Sequence, residues 1–267
     1  MDELHRRFDI LRDRIRSLGG IAVAFSGGVD SAFLLKAAHD TLGDRAIALT
    51  VYANVVPLRE RRESEEFCGK EGVEQIILTK DVFSVQGFAE NPPHRCYICK
   101  KALFSSMKEI AAERGMTLAD GSNTDDMGDY RPGMRALSEL GIISPLRDAG
   151  LSKSDIRTLS RELGLSTWDK PSYACLASRF PYGEVISPRG LEMVEKAEEH
   201  LAGMGIGQLR VRIHGDMARI ETEQKDFEKV IAHADEINRA FSDIGFSYTS
   251  LDLGGYKTGN MNKFPDR

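Results

Sequence analysis

The sequence predicts an α/β fold, with a parallel sheet covered by helices on both faces and a smaller α+β domain after it. Over the first 165 residues, short apolar runs alternate with longer amphipathic stretches, which is typical of parallel strands buried on both sides. Beyond residue 188 the pattern changes to alternating strands between helices. We therefore predict two domains, 1–168 and 169–267.

The first domain begins with an amphipathic helix over residues 2–18, which Gly19 and Gly20 end. The helix over 151–165 has Ser152 or Ser154 as its predicted N-cap. Between them we predict strands at 21–25, 46–51, 75–79 and 117–121, and helices after residue 31, over 58–72 and from about residue 96.

Residues 166–188 form a long stretch without helical or strand periodicity, and it contains Pro171, Pro181 and Pro188. Loops of this length inside compact proteins are usually functional or disordered, and the aromatic residues here argue against disorder. The second domain then has predicted helices at 187–205 and 225–245 and a few antiparallel strands at 208–215, 217–223 and 246–256.

The composition is that of a water-soluble protein: of 267 residues, 41% are hydrophobic and 29% are charged. The N-terminus is charged and lacks the apolar core of a signal peptide, so we expect a cytoplasmic protein without membrane contact. The net charge of −5 argues modestly against nucleic acid and for a small-molecule substrate.

The motif SGGVDS, residues 26–31, follows a predicted buried strand and opens a helix. Gly27 and Gly28 allow a ligand close to the backbone, and helix N-terminal amides favour phosphate. Ser26 and Ser31 add hydroxyl donors. Asp30 would repel phosphate unless a cation lies between them, so it implies Mg²⁺. A glycine-rich turn without a ligand is the simpler alternative.

The motif resembles the pyrophosphate loop, or PP-loop, of the N-type ATP pyrophosphatases. Those enzymes cleave ATP between its α and β phosphates and transfer AMP to a substrate oxygen. The resemblance implies the fold of the adenine nucleotide alpha hydrolases. It leaves open which nucleophile then displaces the AMP: ammonia, an amine or sulfur.

An aspartate-rich segment, GSNTDDMGDYRPG, follows the strand predicted at 117–121. We expect it at the same carboxyl edge of the sheet, where ligands bind. Asp125, Asp126 and Asp129 are candidates for holding Mg²⁺ or contacting ATP. A loop whose aspartates cap neighbouring backbone is an equally good interpretation.

The chain has four cysteines, and a reducing compartment makes structural disulfides a poor explanation for them. Cys96 and Cys99 have C-x-x-C spacing at a predicted helix start, which favours thiolate and suits metal binding or catalysis. A zinc site completed by His94 and Cys68, a redox pair, and a [4Fe–4S] cluster with a third cysteine all remain open. Cys68 fits better as a buried hydrophobe, so Cys175 is the better third ligand.

The strand at 208–215 places Arg210, Arg212 and His214 on one face. Two guanidinium groups suit a phosphate group. A solvated strand face is the alternative, and we expect His214 to be structural. Glu199 and Glu221 are weaker candidates for the same site.

The segment KPSYACLASRFPYGE, with SGGVDS, GSNTDDMGDYRPG, LRVRIHG and LDLGGYKTGNMN, resembles the LarE family of ATP-dependent sulfur transferases. Members adenylate a carboxylate of pyridinium-3,5-biscarboxylic acid mononucleotide and replace an oxygen with sulfur. The product leads to the nickel-pincer nucleotide cofactor of lactate racemase. One form gives up the sulfur of a single cysteine. The other holds a [4Fe–4S] cluster on three cysteines, with an added sulfide as the donor.

The resemblance implies roles for particular residues. Cys175 carries or holds the transferred sulfur, and Cys96, Cys99 and Cys175 hold a [4Fe–4S] cluster as in the three-cysteine form. The resemblance also implies that four residues line the nucleotide substrate site, namely Ser178, Arg179, Arg210 and Arg212. ATP, Mg²⁺ and the cluster are the expected cofactors. We expect a homo-oligomer, and the donor that resupplies sulfide is not identified.

Three alternatives predict different behaviour. A tRNA thiolase shares the phosphate loop but calls for a basic surface and salt-sensitive RNA binding. An ammonia-using amide synthetase needs no cysteine pair. A nucleotide-binding sensor binds ATP without releasing pyrophosphate.

Overall fold

The structure is a computed structural model that describes residues 2–128, 132–171 and 174–257. Asp129, one of the aspartates considered above, lies outside the described residues. The chain separates into two compact units. The first comprises Met1–Val85 and His94–Tyr173, and the second comprises Gln86–Pro93 and Ala174–Arg267.

A parallel sheet with helices packed around it forms the first unit, as predicted. Its strands are β1 (Ile21–Ala24), β2 (Ala46–Ala53), β3 (Gln75–Lys80) and β4 (Thr117–Ala119). Their order across the sheet is β3-β2-β1-β4. The chain thus moves outward from β1 in one direction and then crosses back to add β4 on the other side. This reversal places the loops after β1 and β4 side by side, where ligands bind in open α/β sheets.

The helices of the first unit alternate with its strands and continue after β4. They are α1 (Glu3–Leu18), α2 (Val29–Leu42), α3 (Leu58–Glu71), α4 (Arg95–Glu113), α5 (Pro132–Glu139), α6 (Pro145–Asp148) and α7 (Lys153–Glu162). Ser152 caps α7, as one of the two predicted alternatives, and Asp155 completes a reciprocal capping box. Helices α5 and α6 were not predicted, because short segments carry little periodic signal.

In the core of the first unit, α2 packs against β1 and β2, and α1 and α7 pack on α2. The central strands β1 and β2 are apolar because both of their faces are buried, whereas β3, at the edge of the sheet, is half-buried or exposed along its length. The fully or almost fully buried residues include Leu11, Ile15, Val23, Phe33, Leu35, Ala48, Ile156 and Leu159. Within the described part of the chain, no helix combines the length and apolar character that crossing a membrane requires.

The second unit is an α+β unit with a small sheet. Its strands are β5 (Leu209–His214), β6 (Met217–Thr222) and β7 (Tyr248–Leu251), and its helices are α8 (Pro188–Gly203), α9 (Phe227–Ala232) and α10 (Ala234–Ile244). Strands β5 and β6 pair antiparallel, whereas β6 and β7 pair parallel. The predicted antiparallel pairing is confirmed for β5 and β6, but β7 pairs in parallel because the helices between β6 and β7 return the chain to the same end of the sheet. The predicted helix over 225–245 is divided at His233.

Residues 86–93 belong to the second unit, although no sequence pattern separates them from the first domain. Asn91 is fully buried, and its side-chain amide donates to the carbonyl of Pro181 at 2.7 Å. The backbone of the same segment accepts from Gly183 at 2.9 Å and from Ile186 at 2.8 Å. These bonds tie the segment to the chain that follows Cys175.

Candidate functional site

The motif SGGVDS forms the turn between β1 and α2, as its sequence predicts. Gly27 has a φ of +71°, a conformation that favours glycine, and Gly28 occupies the N-cap of α2. The Ser31 hydroxyl donates to the Gly28 carbonyl at 3.2 Å and accepts from the Ser26 amide at 3.3 Å. The turn is therefore held in shape by its own serines, and the free amides of the helix N-terminus stay available to an anion.

The loop after β4 packs closely on the start of α2. A Cβ atom added to Gly121 would lie 3.0 Å from the Ser31 nitrogen and 3.3 Å from the Asp30 carbonyl carbon. Only glycine therefore allows this approach without a shift of backbone. The contact brings the aspartate-rich segment beside the phosphate loop, as the strand order requires.

Among the residues that the structure describes, the contacts of Asp30, in the first turn of α2, involve one of its two carboxylate oxygens. Its Oδ2 accepts from the Lys153 Nζ at 2.6 Å. Its Oδ1 is buried and has no hydrogen-bond partner among the described residues. A buried carboxylate oxygen without a partner is the kind of atom that a cation satisfies, so this site fits Mg²⁺.

Asp125 and Asp126 make capping contacts. The Asp125 Oδ2 accepts from the Lys153 amide at 3.0 Å, at the first residue of α7, and the Asp126 Oδ2 accepts from the Asn123 amide at 2.9 Å. The geometry of these carboxylates thus corresponds to the capping interpretation, and a role toward Mg²⁺ stays a prediction. Asp125, Lys153 and Asp30 form one continuous chain of contacts.

Lys170 lies on the other side of the phosphate loop. Its Nζ donates to the Gly27 carbonyl at 2.7 Å and pairs with the Glu63 Oε2 at 2.6 Å. Together with Ser26, Gly28, Asp30 and Lys153 it lines a cavity of about 190 Å³. The phosphate loop therefore faces a small space with a lysine on each side. Neither lysine could be assigned to the loop from the sequence, because each is more than 120 residues from it.

Cys96 and Cys99 lie one turn apart at the start of α4, where Cys96 is exposed and Cys99 is half-buried. Tyr97, between them, donates through its hydroxyl to the Glu139 Oε2 at 2.7 Å, and the Lys101 Nζ bonds to the same oxygen at 2.9 Å. Hydrogen bonds from Lys101, then Tyr97 and Arg135, lower the pKa of Glu139 to about 2. This network attaches the first turn of α4, which contains the two cysteines, to the end of α5.

Cys68 is buried in α3, within the hydrophobic core of the first unit. Burial raises the pKa of its thiol to about 12, so it stays protonated in the physiological range. The prediction that Cys68 is a buried hydrophobe is confirmed.

Cys175 belongs to the second unit, where it is exposed at the N-cap of a short 3₁₀ helix, Leu176–Arg179. The side chain of Arg179 is buried beneath this segment and bonds to its backbone. This side chain is only 1% exposed, and its guanidinium donates to the Ala174 and Cys175 carbonyls at 2.6 and 3.2 Å. The other edge of the guanidinium forms two bonds to Glu198 of α8, at 2.8 and 2.7 Å. Glu198 also accepts from the Val211 amide at 2.9 Å.

Arg210 and Arg212 are buried, so the interpretation as a solvated strand face is wrong. The Arg212 guanidinium donates to the Ser178 carbonyl at 2.5 Å and to the Glu221 Oε2 at 2.9 Å. The Arg210 guanidinium lies 5.1 Å from the centre of the Tyr256 ring. Burial, and then the neighbouring Arg179, lower the pKa of Arg210, which marks a site where positive charge is crowded.

The weaker candidates occupy different positions. Glu221 is fully buried and also accepts from Arg219 at 2.8 Å. Glu199 is exposed, and its neighbour Glu198 is the residue that faces the arginines. Burial lowers the pKa of His214, in keeping with a structural residue. Glu198 could not be selected from the sequence, because two adjacent glutamates on a helix give no indication of which one faces inward.

The described residues contain no group of three or more His, Cys, Asp or Glu side chains arranged to hold a metal ion. Cys96 and Cys99 are in the first unit and Cys175 is in the second. The pair on α4 has suitable spacing and exposure for two ligands of a shared metal. The three-cysteine site stays a prediction.

Comparison with known proteins gives close relatives along nearly the whole chain. No family model matches it. An uncharacterized protein of Synechocystis sp. is 36% identical over 97% of this chain and 98% of its own. Pyridinium-3,5-bisthiocarboxylic acid mononucleotide synthase of Lactiplantibacillus plantarum is 36% identical over 93% of this chain and 91% of its own.

A more distant relative is one of the subunits of the glutamine-hydrolyzing GMP synthase of Archaeoglobus fulgidus, 25% identical over 83% of this chain and 78% of its own. This similarity agrees with the fold, because the strand order and the phosphate loop described above are those of a PP-loop α/β fold. Because the identity to the bisthiocarboxylic acid mononucleotide synthase extends through both units, the chain belongs to the LarE family of the PP-loop ATP pyrophosphatase superfamily.

Proposed function

We propose that the protein is an ATP-dependent sulfur transferase in nickel-pincer nucleotide biosynthesis, the pathway to the lactate racemase cofactor. Its substrate in this proposal is pyridinium-3,5-biscarboxylic acid mononucleotide. The observation that carries the proposal is the 36% identity to the bisthiocarboxylic acid mononucleotide synthase over 93% of the chain. The phosphate loop and the exposed Cys175 supply the two chemical functions that such a reaction needs.

The first step activates a carboxylate. A substrate carboxylate oxygen attacks the α phosphorus of ATP, pyrophosphate leaves, and the product is an acyl adenylate. Ser26, Gly27, Gly28 and Ser31 would bind the phosphates through amides and hydroxyls. Asp30 would hold Mg²⁺, which offsets the charge of the phosphates when it is bound.

The second step introduces sulfur. In the self-consuming form, the Cys175 thiolate attacks the acyl carbon, AMP leaves and a thioester forms. Removal of the Cys175 α proton then breaks the bond between Cβ and sulfur, which releases the thiocarboxylate and leaves dehydroalanine. Cys175 suits this role because it is exposed, at the end of a segment that Arg179 anchors.

The substrate nucleotide carries a phosphate, and the second unit offers positive charge for it. Arg210 and Arg212 lie on adjacent positions of one strand face, and Arg212 also contacts the carbonyl of Ser178 in the cysteine segment. Buried guanidinium groups bind an anion more strongly than exposed ones because the local dielectric is low. We propose that Ser178 and these arginines bind the nucleotide, with Arg179 positioning the segment.

The alternative donor is a [4Fe–4S] cluster held by Cys96, Cys99 and Cys175, which would supply an added sulfide when loaded. If it forms, anaerobically purified protein should be brown and contain about four irons per chain. Replacing any of the three cysteines by alanine should abolish iron binding, and Cys68→Ala should keep it. Full activity from colourless protein, or loss of iron in Cys68→Ala alone, would refute this ligand set.

Pyrophosphate release tests the proposed reaction against its alternatives. We expect MgATP to release pyrophosphate in an amount that depends on the dicarboxylate nucleotide, and neither ammonia nor tRNA to replace it. An ammonia-dependent amide product would favour a synthetase of the GMP synthase type, to which the chain is distantly similar. ATP binding without pyrophosphate release under any of these conditions would contradict an enzymatic role.

A further inference from the structure

We propose that Lys153 is a mobile counter-ion of the ATP site. Its ammonium group pairs with the Asp30 carboxylate, at the position that we assign to a divalent cation when ATP binds. On binding, the cation replaces it at the carboxylate, and the ammonium group moves to the ATP phosphates. This inference rests on the proposed use of ATP and assigns a residue of α7 to the same site.

The contacts of Asp30 support this assignment first. An ionised carboxylate accepts about four hydrogen bonds, and a divalent cation prefers carboxylate oxygens. Lys153 reaches the Oδ2 of Asp30 at 2.6 Å, but the buried Oδ1 has no hydrogen-bond partner among the described residues. The lysine therefore neutralises the aspartate without satisfying it, which is the arrangement expected of a replaceable partner.

The backbone of Lys153 is fixed while its side chain has room to move. Its amide donates to the Asp125 Oδ2 at 3.0 Å, and the capping box of Ser152 and Asp155 holds the same turn. The four-carbon side chain extends from this anchor into the cavity of about 190 Å³ that Ser26 and Gly28 also line. Rotation of that side chain carries the ammonium group from Asp30 toward the phosphate loop without any change in α7.

Lys170, the other lysine of this cavity, is less free to leave its present partners than Lys153 is. Its ammonium group already bonds to a phosphate-loop carbonyl, that of Gly27, and to the Glu63 carboxylate. Releasing it would break both contacts, one of them to the loop that binds the nucleotide. Lys153 is therefore the lysine of this cavity whose displacement by a cation leaves the loop intact.

Two consequences follow for binding. Free divalent cation competes with the Lys153 ammonium group for Asp30, so the cation binds weakly before the nucleotide arrives. With ATP present, the displaced ammonium group gains the phosphates as partners, so cation and nucleotide bind together. Removing the charge of Lys153 should therefore strengthen binding of the free cation and weaken binding of its ATP complex.

The test uses Mn²⁺ as a visible cation and the full chain. Free Mn²⁺ is titrated by electron paramagnetic resonance without nucleotide, and the Mn²⁺–ATP complex by calorimetry. We expect Lys153→Met to bind Mn²⁺ on the order of tenfold more tightly and Mn²⁺–ATP on the order of tenfold more weakly, as loss of one charged hydrogen bond implies. Asp30→Asn added to Lys153→Met should remove the gain in Mn²⁺ binding.

Lys36→Met is the matched control. Lys36 is on α2, similarly exposed, and paired with Asp40 and Glu71 outside the cavity. It should change neither affinity. Lys153→Arg keeps the charge and should bind Mn²⁺ no more tightly than the wild type, and circular dichroism checks that each variant is folded.

The outcomes separate the two proposals. Unchanged affinity of Lys153→Met for Mn²⁺–ATP, or weaker binding of both ligands, would overturn the role of Lys153 and leave a structural ion pair. A wild-type chain that binds no Mn²⁺–ATP would overturn ATP use itself. Because this experiment measures binding and not sulfur transfer, the proposed role of Lys153 can be confirmed even if the proposed sulfur chemistry is wrong.

Discussion

Replacing Cys175 by alanine is expected to abolish sulfur transfer while ATP-dependent pyrophosphate release persists. Cys175 is exposed in the second unit, whereas the phosphate loop is formed by the first, so adenylation should not need the thiol. Loss of a nucleophile typically costs on the order of a thousandfold or more in rate. Thiocarboxylate product and pyrophosphate are measured in the same anaerobic reaction.

Cys68→Ala is the control for this experiment. Its thiol is buried and its pKa is raised to about 12, so it supplies no nucleophile, and the variant should transfer sulfur at the wild-type rate. Cys175→Ser should behave as the alanine variant does, because the hydroxyl brings no sulfur. Thiocarboxylate formation by Cys175→Ala at the wild-type rate would show that Cys175 is neither donor nor required ligand.

Replacing Glu198 by alanine should lower the free energy of unfolding more than any other substitution proposed here. It leaves the guanidinium of Arg179 buried and without the two bonds that Glu198 supplies, and it frees the Val211 amide. Removing one partner of a buried ion pair costs about 3–5 kcal/mol, and we expect about 3 kcal/mol because Glu198 is 16% exposed. Urea-induced unfolding measures the change.

Glu192→Gln, on the same helix, is the control for the stability of the Glu198 variant. Glu192 pairs with Lys196 on the exposed side of α8, at 2.6 Å, so Glu192→Gln should unfold at nearly the same urea concentration as the wild type. The Glu198 variant should also lose sulfur transfer, because Arg179 no longer anchors the Cys175 carbonyl. A Glu198→Ala protein as stable as Glu192→Gln would mean that the pair does not support this segment.

The parallel sheet could be predicted from the sequence because its central strands, β1 and β2, are continuous apolar runs buried on both faces. Longer helix-forming stretches separate the strands along the chain. The phosphate loop was recognised because SGGVDS joins a strand to a helix, a context in which two glycines and two serines have a specific use. Both signals are local, so neither depends on distant parts of the chain.

The long-range contacts could not be predicted. Alternation in β5 indicates which side chains share a face, but it does not reveal that the face of Arg210 and Arg212 is covered. Lys153 appears in the sequence as the first residue of a helix, and only the fold brings it to Asp30. Likewise, the residues around Asn91 do not indicate that it has a φ of +54° or that it belongs to the second unit.

The central claim is that this chain replaces a carboxylate oxygen with sulfur at the expense of ATP. Mass spectrometry of a complete anaerobic reaction tests it most directly, with MgATP, the dicarboxylate nucleotide and purified protein. We predict a nucleotide in which sulfur replaces oxygen, formed together with AMP and pyrophosphate. A chain that loses the sulfur of Cys175 identifies the self-consuming route, and an unchanged chain identifies the sulfide route. AMP and pyrophosphate formed without any sulfur in the nucleotide would contradict the claim.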